Sequence, residues 1–213
     1  MKLSILICTI ADRLPMLTRL LDRLLPQRIE GEVEIHVSSD WGGMAIGEKR
    51  NQLMAMSTGR YVCFVDDDDM VPEDYVARIL EAMELNPDCI GFWIDRYVNG
   101  KFEARACHSL RYRRYATNDN EDLRVYERTP NHLNPIKREI AIQVPFPVKN
   151  HGEDTDFAQR IYPLLESEVF IDKAMYDYLY IDMGDRHEMT NAVRNDTGET
   201  PEQWFARQQG VAK

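Results

Sequence analysis

The stretch Arg60-Tyr61-Val62-Cys63-Phe64-Val65-Asp66-Asp67-Asp68-Asp69-Met70-Val71-Pro72-Glu73-Asp74 joins two kinds of signal. Tyr61 to Val65 is the short β-branched and aromatic run of a buried strand. Four consecutive carboxylates, Asp66 to Asp69, follow where such a strand leaves its sheet. Side chains alternate along an extended backbone, so Asp66 and Asp68 are expected to point the same way. Two carboxylates on one face repel each other unless they are protonated or bridged by a cation. Hard oxygen ligands suit Mg²⁺ or Mn²⁺, and an ion there is placed to take diphosphate oxygens. Open α/β sheets bind their ligands at the carboxyl edge of the strands. The stretch therefore predicts an α/β fold with a metal–diphosphate site at one strand end.

The flanking sequence extends this pattern. Pro72 to Leu85 reads as a helix with Pro72 in its first turn, and Asp69 is suited to capping it. Upstream, Leu3 to Ile10 reads as a strand, and Asp12 to Leu25 carries leucines 14, 17, 20, 21 and 24 at helical spacing. Glu32 to Ser38 alternates as a half-buried strand, Gly47 to Ser57 reads as a helix, and Cys89 to Ile94 as a fourth strand. This β-α-β-α-β-α-β order predicts a mostly parallel sheet flanked by helices. After residue 95 the rhythm changes. Asn99-Gly100 signals a hairpin between Arg96–Val98 and Phe102–Arg105, and residues 106–135 read as irregular. Glu153 to Leu165 is an amphipathic helix, and Glu168–Ile171 and Met175–Ile181 read as two strands. Thr200-Pro201-Glu202-Gln203 has the pattern of a capped terminal helix. No internal repeat or low-complexity linker interrupts the 213 residues, so one domain is expected.

A net charge of −10 argues against broad, nonspecific nucleic-acid binding. Cys8, Cys63, Cys89 and Cys107 show no CxxC spacing, and reduced, core-filling thiols are expected. The opening strand runs into a charged helical pattern rather than a signal-peptide cleavage site, and no apolar run has membrane-spanning length. A cytoplasmic protein is expected.

Several segments together resemble the family-2 glycosyltransferases of the GT-A fold. Ser4 to Ile10 with Asp12-Arg13 is similar to the family's first nucleotide-contacting strand and loop, which implies donor contacts from Thr9, Asp12 and Arg13. Ser38-Ser39-Asp40 ends the second strand, where the family often has an acid near the base. Gly47-Glu48-Lys49-Arg50-Asn51 resembles its Gly-x-x-x-Asn helix start. Asp66 to Asp69 resembles its Asp-x-Asp stretch, with Asp66 and Asp68 as the metal pair and Asp66 and Asp67 beside the donor. Gly152-Glu153-Asp154 resembles the segment that supplies the catalytic base. Asn131 to Arg138 is similar to small phage-encoded members.

The resemblance implies inverting transfer of a sugar from a nucleoside diphosphate sugar, by default a UDP-sugar, with Mn²⁺ or Mg²⁺ as cofactor. Residues 1–95 would bind the donor, 96–181 would hold the acceptor and the base, and 182–213 would form a tail. Asp154, with Glu153 its alternate, would take the acceptor proton; Lys49 and Arg50 would approach ribose or phosphates. His187 is implied as a late metal ligand. His132 and His151 are candidates for the acceptor side, as is the basic, aromatic-interleaved run Arg111-Tyr112-Arg113-Arg114-Tyr115. The acceptor would be a glycan or a hydroxymethylated pyrimidine in DNA. Plainer readings compete: a solvated helix start for Lys49 and Arg50, an acidic turn for Asp66 to Asp69, and first-turn helix acids for Glu153 and Asp154. The rival functions are a metal-dependent nucleotidyltransferase and a sugar-binding module without catalysis.

Overall fold

The structure is a computed structural model that describes residues 1–119 and 123–181. In chain order the elements are β1 (Leu3–Ile10), α1 (Leu14–Leu24), β2 (Val33–Asp40), α2 (Ile46–Met56), β3 (Tyr61–Phe64), α3 (Tyr75–Met83) and β4 (Cys89–Val98). They continue with β5 (Lys101–His108), β6 (Ala116–Asp119), β7 (Arg124–Arg128), β8 (Ile136–Lys137), α4 (Arg138–Ala141), α5 (Glu153–Ile161) and β9 (Glu168–Tyr180). One mixed sheet runs β2-β1-β3-β8-β4-β5-β7-β6, with β9 paired to β4. Strands β1, β2, β3, β4 and β9 all point the same way, because β8 is antiparallel to both of its neighbours. The α/β expectation of a largely parallel sheet between helices holds.

Strand β1 shows why this sheet must be covered twice. Leu3, Ile5 and Ile7 pack on one face against Leu17, Leu20 and Leu24 of α1 and Ile79 of α3. Leu6 and Cys8 pack on the other against Leu53 of α2, with Phe157 and Ile161 of α5 in the same cluster. A period of two with both faces apolar makes a continuous hydrophobic run, the mark of a central strand. All four cysteines are free and buried. No helix of the described residues is long and apolar enough to cross a membrane.

The Asn99-Gly100 hairpin forms as expected. Both residues are left-handed, at φ 49° and 73°, as a two-residue primed turn requires. Elsewhere the structure differs. Helix α3 begins at Tyr75, so Pro72 lies in the preceding turn. There Gln27 bonds both the Pro72 carbonyl (2.9 Å) and the Val76 N–H (3.1 Å). Asp69 does not cap this helix, since its carboxylate is turned inward. Residues 106–135 are not wholly irregular but hold the end of β5, then β6 and β7. The two strands read between Glu168 and Ile181 are one strand, β9, with Asp172 and Lys173 bulged out between the pairs Phe92–Ile171 and Trp93–Ala174. The terminal helix read at Thr200 lies outside the described residues.

Candidate active site

The chain stops being extended after Val65, and Asp69 N–H closes a turn on the Asp66 carbonyl at 3.2 Å. Strand alternation therefore fails, and each aspartate meets its own partners. Asp66 Oδ1 lies 3.2 Å from Arg50 Nη2, and its Oδ2 lies 3.6 Å from His132 Nε2. Burial opposes its ionisation, but His132, Arg50 and Arg13 outweigh it and hold the carboxyl well below the usual range. Asp67 accepts from Thr9 Oγ1 at 2.6 Å and lies 3.0 Å from Arg13. Burial pushes it up to about 7, against the pull of Arg13 and with the repulsion of Asp68. Asp68 contacts Arg13 and keeps 43% of its side chain exposed. Asp69 is buried, accepting from Tyr176 Oη at 2.7 Å and Leu179 N–H at 2.8 Å, and burial pushes its carboxyl well up.

On the β1–β2 side, Lys49 is a buried organiser. Its ammonium donates to the Thr9 carbonyl at 2.8 Å and pairs with Asp40. That hydrogen bond from Lys49 is the main reason the Asp40 carboxyl falls to about 2, and Asp40 also accepts from Met44 N–H at 2.7 Å. Thr9, Arg13, Asp40 and Asp67 thus converge where β1, β2 and β3 end. Asp12 sits exposed on the turn between β1 and α1.

On the other side of Asp66 opens a cleft of about 600 Å³. Arg50, Asp66, His132, Glu153 and Asp154 line one wall, and Arg96, His108, Tyr126, Arg128 and Tyr178 line the rest. Arg50 is the link between walls and floor. Its side chain is only 3% exposed, packs over the rings of Phe64 and Phe146, and also pairs with Glu153 at 3.0 Å. Glu153 and Asp154 open α5, where the helix N-terminus favours negative charge.

The family model described as glycosyl transferase family 2 matches residues 35–145, just over half of the chain. The chain belongs to glycosyl transferase family 2. Among solved structures, S. aureus TarS 1–349 matches at 18% identity with a TM-score of 0.64, covering 84% of this chain and 60% of that one. The same fragment in complex with UDP-GlcNAc matches at 17% identity and TM-score 0.65, covering 84% and 58%. In complex with UDP it matches at 17% identity and TM-score 0.65, covering 84% and 60%. This likeness is one of fold, and the chain spans about 60% of the length of those structures. No curated protein matches.

Within this family-2 chain, the residues expected at the site separate by what they touch. Asp66, Arg50, Glu153, Asp154, His132 and His151 come together around the cleft. Asn51 does not face it: its amide donates to the Phe146 carbonyl and accepts from the Phe146 N–H, both at 2.8 Å. Lys49 is likewise spent on Asp40 and Thr9. Glu153 is buried and paired with Arg50, whereas Asp154 lines the cleft with no ion-pair partner among the described residues. Arg111, Tyr112, Arg113 and Arg114 are absent from the cleft lining; Arg111 instead stacks on Phe170 at 4.4 Å and bonds Ser109. Arg96, Tyr126, Arg128 and Tyr178 take the far wall; Arg96 and Tyr178 lie in segments read as strands, β7 with Tyr126 and Arg128 was not read, and no motif marked any of the four.

The donor set fits a hard divalent cation. Asp68 offers an exposed carboxylate beside the repelling charges of Asp66 and Asp67, and one or two carboxylates completed by diphosphate oxygens suffice for Mg²⁺ or Mn²⁺. Among the described residues no three His, Cys, Asp or Glu groups converge as a ready-made metal cage. His187 lies outside the described residues.

Proposed function

We propose that this chain transfers a sugar, with inversion, from a UDP-sugar to an acceptor hydroxyl in the cleft. The observation that carries this is Arg50, whose one guanidinium pairs with Asp66 at the donor edge and Glu153 at the start of α5. By holding Glu153 it anchors the start of α5, and with it Asp154, in the cleft that Asp66 also lines. Thr9, Arg13, Asp40 and Asp67 then face the nucleotide, and the TarS fragment bound to UDP and to UDP-GlcNAc supports uracil as the base. A Mg²⁺ or Mn²⁺ ion held by Asp68, with Asp66 near it, would supply charge neutralisation for the departing diphosphate.

Asp154 accepts the proton of the acceptor hydroxyl as that oxygen attacks the anomeric carbon. The bond from the anomeric carbon to the diphosphate oxygen breaks, and UDP leaves with the electron pair. Arg50 keeps Glu153 from competing for the proton. A glycan acceptor would call on the cleft lining alone. A hydroxymethylated pyrimidine in DNA would draw on the Arg111–Tyr115 run, which lies off the cleft lining, so the glycan is the better-supported acceptor. UDP release from pooled UDP-sugars with Mn²⁺ tests the assignment. Asp154→Asn is expected to lower turnover by about 10²–10⁴-fold while UDP affinity is retained. A folded Asp154→Asn protein turning over near the wild-type rate overturns it.

A further inference from the structure

Three arginines line the cleft, and they are not equivalent. Arg50 faces Asp66 and Glu153, and Arg96 faces Glu103. On the neighbouring strands Arg105 pairs with Asp95 and Arg124 with Asp119. Arg128 has no carboxylate partner among the described residues. Its Nη1 donates to the carbonyls of Ala116 (2.8 Å) and Glu127 (2.9 Å). Its guanidinium carbon lies 4.7 Å from the centre of the Tyr115 ring and 5.0 Å from that of Tyr126. No hydrogen bond joins Nε or Nη2 to an atom of the described residues, and the residue lines the cleft.

A half-buried guanidinium has lost part of its hydration, and carbonyl oxygens return less than a carboxylate would. Burial accordingly pulls Arg128 below its ordinary pKa. Two rings fix its plane, and a free guanidinium edge matches the paired oxygens of a phosphate or carboxylate. His108 on the same wall adds no charge at neutral pH, since burial pulls it down to about 4. Tyr115, stacked on Arg128, is also within electrostatic reach of Asp154. An anion at Arg128 would thus share the cleft with Asp154.

We propose that Arg128 is a specificity residue that grips an oxyanion, a phosphate or carboxylate, which the acceptor carries beside the hydroxyl it donates. This rests on reading the cleft as the acceptor side of a UDP-sugar transferase. The test is calorimetric titration of glycerol phosphate, glycerate and glycerol into protein saturated with UDP and Mn²⁺, so that the donor's own phosphate site is filled. Wild type should bind glycerol phosphate or glycerate at least tenfold more tightly than glycerol, and the tighter of the two identifies the oxyanion. Arg128→Gln should lose that preference, and Arg128→Lys should keep only part of it, since an ammonium supplies the charge without the fork or the stacking. Unchanged binding by Arg128→Gln overturns the proposal. If Arg128→Gln does not fold, the wild-type contrast decides, because glycerol binding as tightly as both anions overturns it equally. UDP binding measured in the same series tests the transferase reading separately. UDP that binds while neither anion does sinks this inference alone.

Discussion

Three consecutive residues of α2 show how little residue type says about partner. Lys49, Arg50 and Asn51 all look like ligand contacts, since each carries donors that suit phosphate or ribose. The protein itself is the partner in every case: Asp40 and Thr9 for Lys49, Asp66 and Glu153 for Arg50, and the Phe146 backbone for Asn51. Asn51 gives the cleanest test. Its amide satisfies both main-chain groups of Phe146, whose ring stacks on Phe157 at 4.3 Å in the core. Asn51→Ala leaves that N–H and carbonyl unpaired, at a cost of about 2–4 kcal/mol from two lost partners. Thermal melts should show the loss. Titration of UDP into the folded Asn51→Ala protein should give the wild-type affinity, and a large fall in affinity with normal stability would make Asn51 a donor ligand after all.

At the scale of elements, the start of α2 and the approach to α5 form one unit. Helix α2 has no side-chain cap of its own at Ala45. Instead Ile46 N–H donates to Asn150 Oδ1 at 3.0 Å and Gly47 N–H to the Lys149 carbonyl at 3.3 Å. A methyl group at Gly47 would lie 2.0 Å from the Pro147 carbonyl oxygen. Glycine-to-alanine changes inside helices usually stabilise by about 0.5–1 kcal/mol. Here Gly47→Ala should destabilise instead, because backbone must move. The displaced segment leads straight into Glu153 and Asp154, so turnover should fall with the melting temperature while UDP affinity changes little. Steady-state kinetics beside a melt of Gly47→Ala separates that from a purely global loss. These junctions also explain what could be read in advance. Strands β1 and β3, helix α2 and the β4–β5 hairpin were legible because periodicity and turn chemistry are local. The start of α3 was not, since Gln27 caps it from far away in sequence. Nor was the continuity of β9, whose two halves were read as separate strands because the bulge at Asp172-Lys173 interrupts the apolar pattern with two charged residues. The site divides the same way: the cluster of Thr9, Arg13, Asp40 and Asp67 sits on strand ends that could be read locally, whereas the far wall of the cleft is assembled from β4, β5, β7 and β9 by long-range pairing.

For the molecule as a whole, a charge of −10 in 213 residues means that placing carboxylates is an energetic problem wherever they are partly buried. The seam joining β9 to the aspartate turn shows it. Asp177 exchanges both backbone hydrogen bonds with Met70, at 2.8 and 3.1 Å, which ties the turn to the strand. Its side chain stands directly across the sheet from Asp95. Burial first, and then the Asp95 charge, push the Asp177 carboxyl up to about 6. An acid raised on folding binds its proton more tightly in the native state than in the unfolded one. Its contribution to stability is therefore intact below the unfolded value, near 3.8, and is lost as pH rises through about 6. Asp177→Asn removes the titration and leaves the backbone bridge in place. Its advantage over wild type should be small at pH 4.5, grow to on the order of 1–2 kcal/mol by pH 7.5, and stay level above that. Denaturant melts of both proteins across that range check it. An advantage of equal size at both ends would place the effect in packing, not in the charge of Asp177. Because burial is the larger cause, 0.5 M salt should shrink the pH 7.5 advantage only in part, since screening reaches the repulsion from Asp95 and not the desolvation.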